Sequence, residues 1–338
     1  MTEPRLWTAI MLMLLLYPAV LLAVPEPKYG PQFDGNTAFV YLEQQCSFGP
    51  RPPGSLNLSL CRQFIKDHLE VAGWNVTLQN FTYLEVQCSN IVARWGNGAA
   101  AFILGAHYDT RPRADNDPYL GNRTRPVMGA NDAASGTAIL MQLAESLPNQ
   151  ARASIEMVFF DAEDSGYING WSWIVGSSHY VDQLNETRRS QTHAMILLDM
   201  VGDKDLRLLR ETSSTRSIQD AVWETAASLG HDDVFLDSSG GSITDDHRPF
   251  LDAGIPALDI IQHAPFPSSW HTVGDTPDKC SAESLDVVGD VVETFMVESV
   301  ESSSTFALDP TDVLLPMVIV ALIVGLPVVC YGLKRRAR

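Results

Sequence analysis

Histidine and acidic residues recur in this sequence directly after stretches of strand-like hydrophobic pattern. They stand at five separate places along the chain: His107 with Asp109, Asp132, Asp161 with Glu163 and Asp164, Asp199, and His271. The carboxyl ends of parallel strands meet at one edge of a sheet, where α/β folds gather their ligand sites. Mixed histidine and carboxylate ligands without thiolates are typical of catalytic zinc, which keeps one coordination position open for water or substrate. The pattern therefore predicts a zinc centre at that edge.

Each of these residues taken alone has a purely structural explanation. A histidine after a strand is more often a satisfied polar residue than a ligand, and Asp132 alone would be a helix N-cap. The turn from Asp161 to Asp164 could be solvated. Asp199 is harder to explain, because it ends the apolar run 195–198, where a buried carboxylate needs a partner. A common metal site explains all five places together.

These positions need a scaffold that brings distant loops together. The hydrophobic pattern predicts strands over residues 75–84, 87–95, 100–106, 154–160, 194–198 and 257–261. It predicts helices over residues 56–72, 133–147, 219–229 and 282–300. Strands separated by helices indicate an α/β sandwich with a largely parallel central sheet, folded as one domain.

Length and composition limit the class of protein. The chain has 338 residues, of which 45% are hydrophobic and 19% charged, so it can bury a substantial core. Its formal net charge is −18, which argues against nucleic acid as a partner, because phosphate recognition needs clustered lysine and arginine.

Both ends of the chain are apolar and predict a membrane-anchored protein. Residues 1–25 have the form of a signal peptide or an N-terminal anchor. Residues 313–333 carry no charge and are long enough for a C-terminal transmembrane helix. The basic residues of 334–338 should then form a short cytoplasmic tail. Residues 26–301 become the zinc-dependent catalytic ectodomain, extracellular or in the secretory lumen, with residues 302–312 as the linker.

Glycosylation sequons and cysteines agree with that location. Sequons of the form Asn-x-Ser/Thr begin at Asn57, Asn75, Asn80, Asn122 and Asn185. The predicted ectodomain contains four cysteines that an oxidising compartment would allow to pair: Cys46, Cys61, Cys88 and Cys280. We predict a disulfide between the first two, which are close in sequence.

Six segments resemble, in order, the superfamily of zinc-dependent aminopeptidases and glutaminyl cyclases. They are Ala106-His-Tyr-Asp-Thr-Arg-Pro112, Gly129-Ala-Asn-Asp-Ala-Ala-Ser-Gly136, Phe159-Phe-Asp-Ala-Glu-Asp-Ser-Gly166, Leu197-Leu-Asp-Met-Val-Gly202, Thr244-Asp-Asp-His-Arg-Pro-Phe250 and Trp270-His-Thr272. The resemblance runs from about Phe48 to the closing helix. It implies the three-layer α/β sandwich of the zinc exopeptidases (phosphorylase/hydrolase-like), with a mixed, mostly parallel sheet. It also implies zinc as cofactor and the N-termini of peptides or proteins as substrate.

The aminopeptidase branch of that superfamily implies one model of the site. Two zinc ions would be held by five ligands: His107, Asp132 as the bridge, Asp164, Asp199 and His271. Glu163 would be the general base for the water that attacks the first peptide bond.

The glutaminyl cyclase branch implies a second model. One zinc would be held by Asp132, Asp164 and His271, and it would polarise the side-chain amide of an N-terminal glutamine. Glu163 would relay a proton from the attacking α-amine to the departing ammonia. Asp199 and Asp245 would form a hydrogen-bonded carboxylate pair, which must share a proton or be otherwise compensated.

The aromatic surroundings favour the cyclase model. The segment Pro265-Phe-Pro-Ser-Ser-Trp270 resembles the cyclase pocket, and we predict that Phe266, Trp270 and Trp171 enclose one small flat side chain. The stretch Arg111-Pro-Arg-Ala-Asp-Asn-Asp-Pro118 looks like bacterial cyclases. Against this, the turn before the helix at 133 has the general superfamily form, and Asp164 stands where animal cyclases carry Glu. The cyclase is our first interpretation and the di-zinc aminopeptidase the alternative.

A non-catalytic binding ectodomain is the third alternative. Some relatives on this scaffold serve as receptors or assembly partners and have lost metal ligands. This sequence keeps every expected ligand and the base Glu163, which favours an enzyme.

Overall fold

The computed structural model describes residues 29–98 and 100–305, and a six-stranded sheet forms its centre. The strands are β1 (Asn75–Tyr83), β2 (Val86–Arg94), β3 (Phe102–His107), β4 (Ile155–Phe160), β5 (Ala194–Asp199) and, after two short strands, β8 (Ala257–Ile261). Their order across the sheet is β1-β2-β4-β3-β5-β8. Strands β4, β3, β5 and β8 are parallel, and β1 and β2 join one edge antiparallel. The predicted mixed, mostly parallel sheet is confirmed.

Helices cover both faces of this sheet. They are α1 (Gly35–Ser47), α2 (Leu56–Val71), α3 (Ala134–Ser146), α4 (Asn149–Arg152), α5 (Val175–Asp182), α6 (Glu186–Gln191), α7 (Arg216–Leu229), α8 (Arg248–Asp252) and α9 (Ala282–Thr305). Leu104 and Ile196 face the larger core, which α1, α2, α3, α7 and α9 share. Ile103 and Met195, their neighbours in the strands, face a smaller core with α5 and α8. Alternate residues of one strand thus serve opposite layers, which makes a three-layer sandwich.

The predicted strands of the main sheet all occur, each within two residues of its predicted bounds. The predicted helices occur as well, and the closing helix continues to Thr305, into the predicted linker. The pattern missed helices α1, α4, α5, α6 and α8. It also missed a small parallel sheet of β6 (Leu208–Glu211) and β7 (Phe235–Gly241).

Helix α3 approaches the end of β5 more closely than a side chain would allow. A Cβ on Gly136 would lie 2.1 Å from the backbone oxygen of Leu198. Glycine at this position lets the first turn of α3 rest directly on the strand. The turn that carries Asp132 is thereby brought beside Asp199, the last residue of β5.

The predicted disulfide is wrong in this structure, where Cys46 and Cys61 are both free and buried. Each thiol packs in the larger hydrophobic core as a small apolar side chain. Burial raises the pKa of each to about 11, which keeps the thiols protonated and inert.

Within the described residues, no helix is long and apolar enough to cross a bilayer. The predicted signal segment or anchor (1–25), transmembrane helix (313–333) and basic tail (334–338) lie outside those residues, as does most of the linker.

Candidate metal centre and pocket

Two groups of buried side chains at the carboxyl edge of the sheet could each hold a metal ion, and they share Asp132. We call Asp132, Asp164 and His271 the His271 cluster, and His107, Asp132 and Asp199 the His107 cluster. His271 Nε2 lies 3.1 Å from Asp164 Oδ1 and 3.6 Å from Asp132 Oδ2. His107 Nε2 lies 3.2 Å from one oxygen each of Asp132 and Asp199. The structure thus brings together all five side chains that the sequence nominated as ligands.

Both clusters fit zinc in the chemistry of their donors. Imidazole nitrogen and carboxylate oxygen are zinc ligands, and in each cluster the candidate ligand atoms lie within 4.8 Å of one another. Asp164 Oδ2 is buried and has no hydrogen-bond partner among the described atoms. A cation would satisfy that oxygen and compensate the buried carboxylates around it.

The loops after the strands are fixed by two further carboxylates. Asp275 accepts the N–H groups of Asn131 at 2.8 Å and Asp132 at 3.1 Å. The N-cap residue of α3 is Ala133, which makes no side-chain cap, so Asp132 is not a helix cap. Asp109 accepts the N–H groups of Glu163 and Asp164, at 3.0 and 3.2 Å.

Asp109 also orients the His107 cluster. Its Oδ1 lies 3.5 Å from His107 Nδ1, the usual place for the carboxylate behind a metal-binding histidine. Asp161, by contrast, accepts the N–H of Ser89 at 2.7 Å and receives a hydroxyl contact from Tyr108. It holds strands together and belongs to neither cluster.

Three non-glycine residues beside the ligands adopt left-handed backbone conformations: Ala162 at φ 64, Met200 at φ 47 and His271 at φ 55. Such residues cost about 1–3 kcal/mol each, and they persist where the surrounding structure imposes them. Ala162 precedes Glu163, Met200 follows the ligand Asp199, and His271 is itself a ligand. The strained backbone at these three residues therefore helps to set the directions of side chains in the site.

Burial and crowding of carboxylates dominate the electrostatics of the clusters. Burial alone would lower the pKa of His107, but hydrogen bonds to Asp109, Asp132 and Asp199 raise it well above its ordinary value. Burial would raise the pKa of Asp132, but the hydrogen bond and charge of His107 hold it below the usual range. Burial and the neighbouring Asp132 raise the pKa of Asp164 to about 6.

The candidate base and the second carboxylate pair also hold their protons more tightly than usual. Burial raises the pKa of Glu163 well above its ordinary value. Burial and the charge of Asp259 raise the pKa of Asp245 in the same way. Burial raises the pKa of Asp199, opposed chiefly by the hydrogen bond and charge of His107. Asp199 and Asp245 line the same cavity, and the hydrogen bond between them stays a prediction.

A cavity of about 300 Å³ opens over both clusters. Carboxylates form one side of it, and the other side is mainly aromatic and aliphatic: Tyr167, Trp173, Ile243, Ile261, Phe266 and Trp270. The predicted wall residues Phe266 and Trp270 stack at 3.9 Å between ring centroids. Trp270 stacks on His271 at 3.8 Å, and Trp173 stacks on the imidazole at 6.0 Å.

The prediction that Trp171 lines the pocket is wrong. Trp171 packs against Tyr83, with ring centroids 5.2 Å apart, in a small separate hydrophobic cluster. Trp173, two residues later, takes the place on the wall. Sequence reasoning chose the wrong tryptophan of the pair because the loop between β4 and α5 has no regular period.

Arg111 is a site residue that sequence reasoning did not single out. Its guanidinium binds both oxygens of Asp115 at 2.6 Å and Asp164 Oδ1 at 3.1 Å. It also lies over the ring of Trp173, 4.9 Å from the centroid. The bidentate pair and the cation–π contact together fix the wall and one ligand. Its place in the His-Tyr-Asp-Thr-Arg segment was the signal that could have found it.

A buried layer behind Asp245 was missed as well. His247 Nδ1 lies 3.4 Å from Asp259 Oδ2, and His247 Nε2 lies 3.5 Å from Glu211 Oε2. Burial lowers the pKa of His247 to about 4, so this imidazole is neutral. Asp259 is fully buried, and burial raises its pKa well above the ordinary value. Asp259 therefore holds its proton to a higher pH than an ordinary carboxylic acid.

Comparison with known proteins agrees with this geometry. Residues 90–296 match the model of peptidase family M28. The chain is 28% identical, over 284 residues, to the glutaminyl-peptide cyclotransferase-like protein of Bos taurus. The alignment covers 73% of this chain and 72% of that protein.

Two solved structures from Bacteroides thetaiotaomicron have the same fold. One is a glutaminyl cyclase bound to N-acetylhistamine, with 33% identity and a TM-score of 0.74 over 79% of this chain and 99% of that one. The other is a leucine aminopeptidase precursor, with 33% identity and a TM-score of 0.73 over 79% of this chain and 98% of that one.

Fold, ligands and comparisons together define a zinc-dependent enzyme of the aminopeptidase and glutaminyl cyclase superfamily. The chain belongs to peptidase family M28.

Proposed function

We propose that the protein is a zinc-dependent glutaminyl-peptide cyclotransferase, which converts the N-terminal glutamine of a peptide into pyroglutamate and releases ammonia. The observation that carries this proposal is the pocket of about 300 Å³, which has room for a single side chain. Stacked aromatic rings beside the His271 cluster suit the flat amide of glutamine. The likeness to a bacterial glutaminyl cyclase at 33% identity supports the same reading.

The residues around the pocket supply what cyclisation needs. Asp132, Asp164 and His271 would hold the zinc, which when bound polarises the carbonyl of the substrate's side-chain amide. Glu163 lines the pocket beside them. It takes a proton from the α-amine as that nitrogen attacks Cδ, and it gives a proton to the nitrogen that leaves. One N–C bond forms and one breaks, so neither water nor another reactant is consumed.

Asp245 and Asp199 have a supporting role in this mechanism. Burial keeps Asp245 protonated above the usual pH range of a carboxylic acid, so it can donate a hydrogen bond to Asp199. An oxygen of Asp199 that accepts this bond is less available to a second metal ion. We therefore propose one working zinc, in the His271 cluster.

A di-zinc aminopeptidase is the second candidate, because the His107 cluster is complete. The likeness to a leucine aminopeptidase precursor at 33% identity gives it equal support from fold and sequence. In that reaction Glu163 would act as base for an attacking water.

One incubation separates the candidates. The purified protein, supplied with zinc, is mixed with a peptide that begins with glutamine, and the products are analysed by mass spectrometry. Loss of ammonia from an intact chain supports the cyclase. Release of free glutamine supports the aminopeptidase, and an unchanged peptide supports a binding ectodomain. Zinc content, one or two ions per chain, is an independent measurement.

We also propose that the catalytic part lies outside the cytoplasm, anchored by residues 313–333. Three sequon asparagines, Asn75, Asn80 and Asn185, are exposed and accessible to glycosylation. Asn57 and Asn122 are only half-exposed, and their amide groups donate hydrogen bonds to Pro50 O at 3.0 Å and Asp117 Oδ1 at 3.1 Å. The corresponding bond of the exposed Asn75, to Gly96 O, is longer at 3.4 Å. After expression in animal cells, glycans should map to the three exposed sites. A chain without any glycan would contradict this location.

A further inference from the structure

A loop, residues 111–127, lies against the segment that carries His271, one of the residues lining the pocket. The N–H of Asn116 donates to His271 O at 3.2 Å, and Asp117 Oδ2 accepts the N–H of Val273 at 3.1 Å. Backbone bonds close the loop on itself, with Ala114 N donating to Arg125 O at 2.7 Å. The loop is therefore held next to the wall of the pocket.

Three exposed arginines project from this loop, and we call Arg113, Arg123 and Arg125 the arginine rim. Arg113 donates to Asn169 Oδ1 at 3.1 Å, Arg123 to Asp117 O at 2.8 Å and Arg125 to Asn122 Oδ1 at 3.2 Å. These acceptors are neutral amide or carbonyl oxygens. Across the described residues, no carboxylate lies within 4.0 Å of a rim guanidinium, whereas Arg111 in the same loop has two such partners.

The carboxylates of the loop are engaged by other donors, and of the two only the charge of Asp117 also acts on the rim, at Arg123. Asp115 is bound at both oxygens by Arg111. Asp117 is buried and accepts the N–H groups of Tyr119 and Val273 and the amide of Asn122. The rim is thus a positive border on a chain whose formal net charge is −18.

The rim joins the pocket at Tyr167. This residue lines the cavity, and 88% of its surface is exposed. Arg113 is hydrogen-bonded to Asn169, two residues further along the same loop. A peptide whose first residue occupies the pocket and that leaves on the Tyr167 side runs toward Arg113, and an extended chain advances about 3.3–3.6 Å per residue. Its second to fourth residues would therefore pass Tyr167 and the rim.

We propose that the arginine rim is a binding subsite for the residues after the N-terminal one, and that it selects peptides with aspartate or glutamate there. This inference rests on the proposed cyclase function. Guanidinium groups bind carboxylates in a planar, two-pronged geometry. The preference should therefore be for carboxylate side chains. Because the rim is exposed, its contribution should be modest and sensitive to salt.

The test compares three peptides, beginning Gln-Glu-Glu, Gln-Ala-Ala and Gln-Lys-Lys, with the full-length protein and zinc. At low ionic strength, kcat/KM for Gln-Glu-Glu should exceed that for Gln-Lys-Lys by about three- to tenfold, mainly through KM. Half-molar salt should bring the ratio close to one. Arg113→Glu should remove or reverse the preference, with Arg113→Gln intermediate and Arg123→Glu weaker.

Arg216→Glu is the matched control for charge. Its guanidinium pairs only with Asp220 in helix α7, and Thr215 before it bonds Ala257, at the amino end of β8, on the opposite edge of the sheet. This variant should keep the wild-type ratio. Dividing each variant's ratio by that of the wild type also removes any intrinsic difference in amine reactivity between the peptides.

The outcomes separate the two proposals. If Gln-Ala-Ala is cyclised but the ratio is near one and Arg113→Glu leaves it unchanged, the subsite is overturned while the cyclase stands. If none of the three peptides is cyclised by a folded, zinc-loaded protein, the cyclase function and the preference stated here are both overturned.

Discussion

The two metal-ligand clusters have the same residue types, one histidine and two aspartates with Asp132 in common, but their surroundings differ. The His271 cluster has the guanidinium of Arg111 on Asp164 and indole rings on both faces of its imidazole. The His107 cluster is surrounded by acids, with Asp109 at Nδ1 of its histidine and Asp245 lining the same cavity as Asp199. Two sites with the same ligand residues can therefore differ in how tightly they hold a metal ion. The neighbouring residues set the charge of the ligands and how freely their side chains can move.

The largest expected effect comes from Glu163, which is the proposed base in both models of the site. Glu163→Gln should lower kcat by about 10²–10⁴-fold, since the amide cannot accept or relay the proton. Zinc content and the unfolding midpoint should stay at wild-type values, measured by elemental analysis and circular dichroism. Normal turnover in a folded variant would sink the assignment of Glu163 as the base.

The next prediction tests directly whether the two clusters differ in zinc binding and in activity. Asp164→Ala should abolish zinc binding and activity, because it removes a ligand from the His271 cluster. His107→Ala should keep one zinc per chain and measurable cyclisation. Elemental analysis of both variants provides the readout. Equal loss of zinc and activity in the two variants would favour paired metals and the aminopeptidase.

A third prediction concerns the aromatic side of the His271 cluster. Trp270→Ala should raise KM for a glutamine peptide about tenfold with zinc content intact, because the ring packs on the pocket wall. Trp171→Ala, which removes an indole outside the pocket, is the control and should leave KM unchanged. If Trp270→Ala loses zinc instead, its role is to support His271 and not to contact the substrate.

The smallest effect is expected behind the His107 cluster, where Asp245 has a pKa raised by burial and by Asp259. Asp245 therefore keeps its proton to a higher pH than an ordinary carboxylic acid and loses it as the pH rises through the raised value. Activity should then decline on the alkaline side, as the hydrogen bond to Asp199 becomes a repulsion. Asp245→Asn imitates the protonated acid and should keep activity within about threefold at neutral pH. A pH–rate profile of this variant should lack the alkaline decline, and an unchanged profile would contradict the role given to Asp245.

The free energy of unfolding should also decrease as the pH rises. A raised acid pKa in the folded state favours folding at low pH, and that contribution is lost as the pH rises through the raised value.

Much of the fold could be predicted from the sequence, because the central strands are continuous apolar runs and the long helices are amphipathic. Helix α1 was missed because most of its apolar residues form one consecutive run, Ala38 to Leu42, without a helical period. Its place depends on Gly35, where a Cβ would lie 2.2 Å from Ala282 O. Strand β7 was missed because its sequence Phe-Leu-Asp-Ser-Ser-Gly-Gly is mostly polar and exposed. Contacts made far along the chain decide both elements.

The ligands could be predicted because His107 and Asp199 end strands and the other three lie in the loops that follow strands. The supporting residues could not be predicted. Arg111, Asp259 and the arginine rim act through contacts in the folded chain that no local sequence pattern encodes. Arg113, Arg123 and Arg125 form no run in the sequence, and the loop alone gathers them. Trp171 and Trp173 were indistinguishable for the same reason.

The rings stacked on His271 make one half of the metal centre optically distinguishable. Indole emission responds to the charge of an adjacent imidazole, and His271 has an indole on each face. Within the described part of the chain, no ring contact involves His107. Zinc titrated into the metal-free protein should therefore change tryptophan fluorescence when it binds beside His271, and much less when it binds beside His107. The protein contains its own reporter of which position fills first.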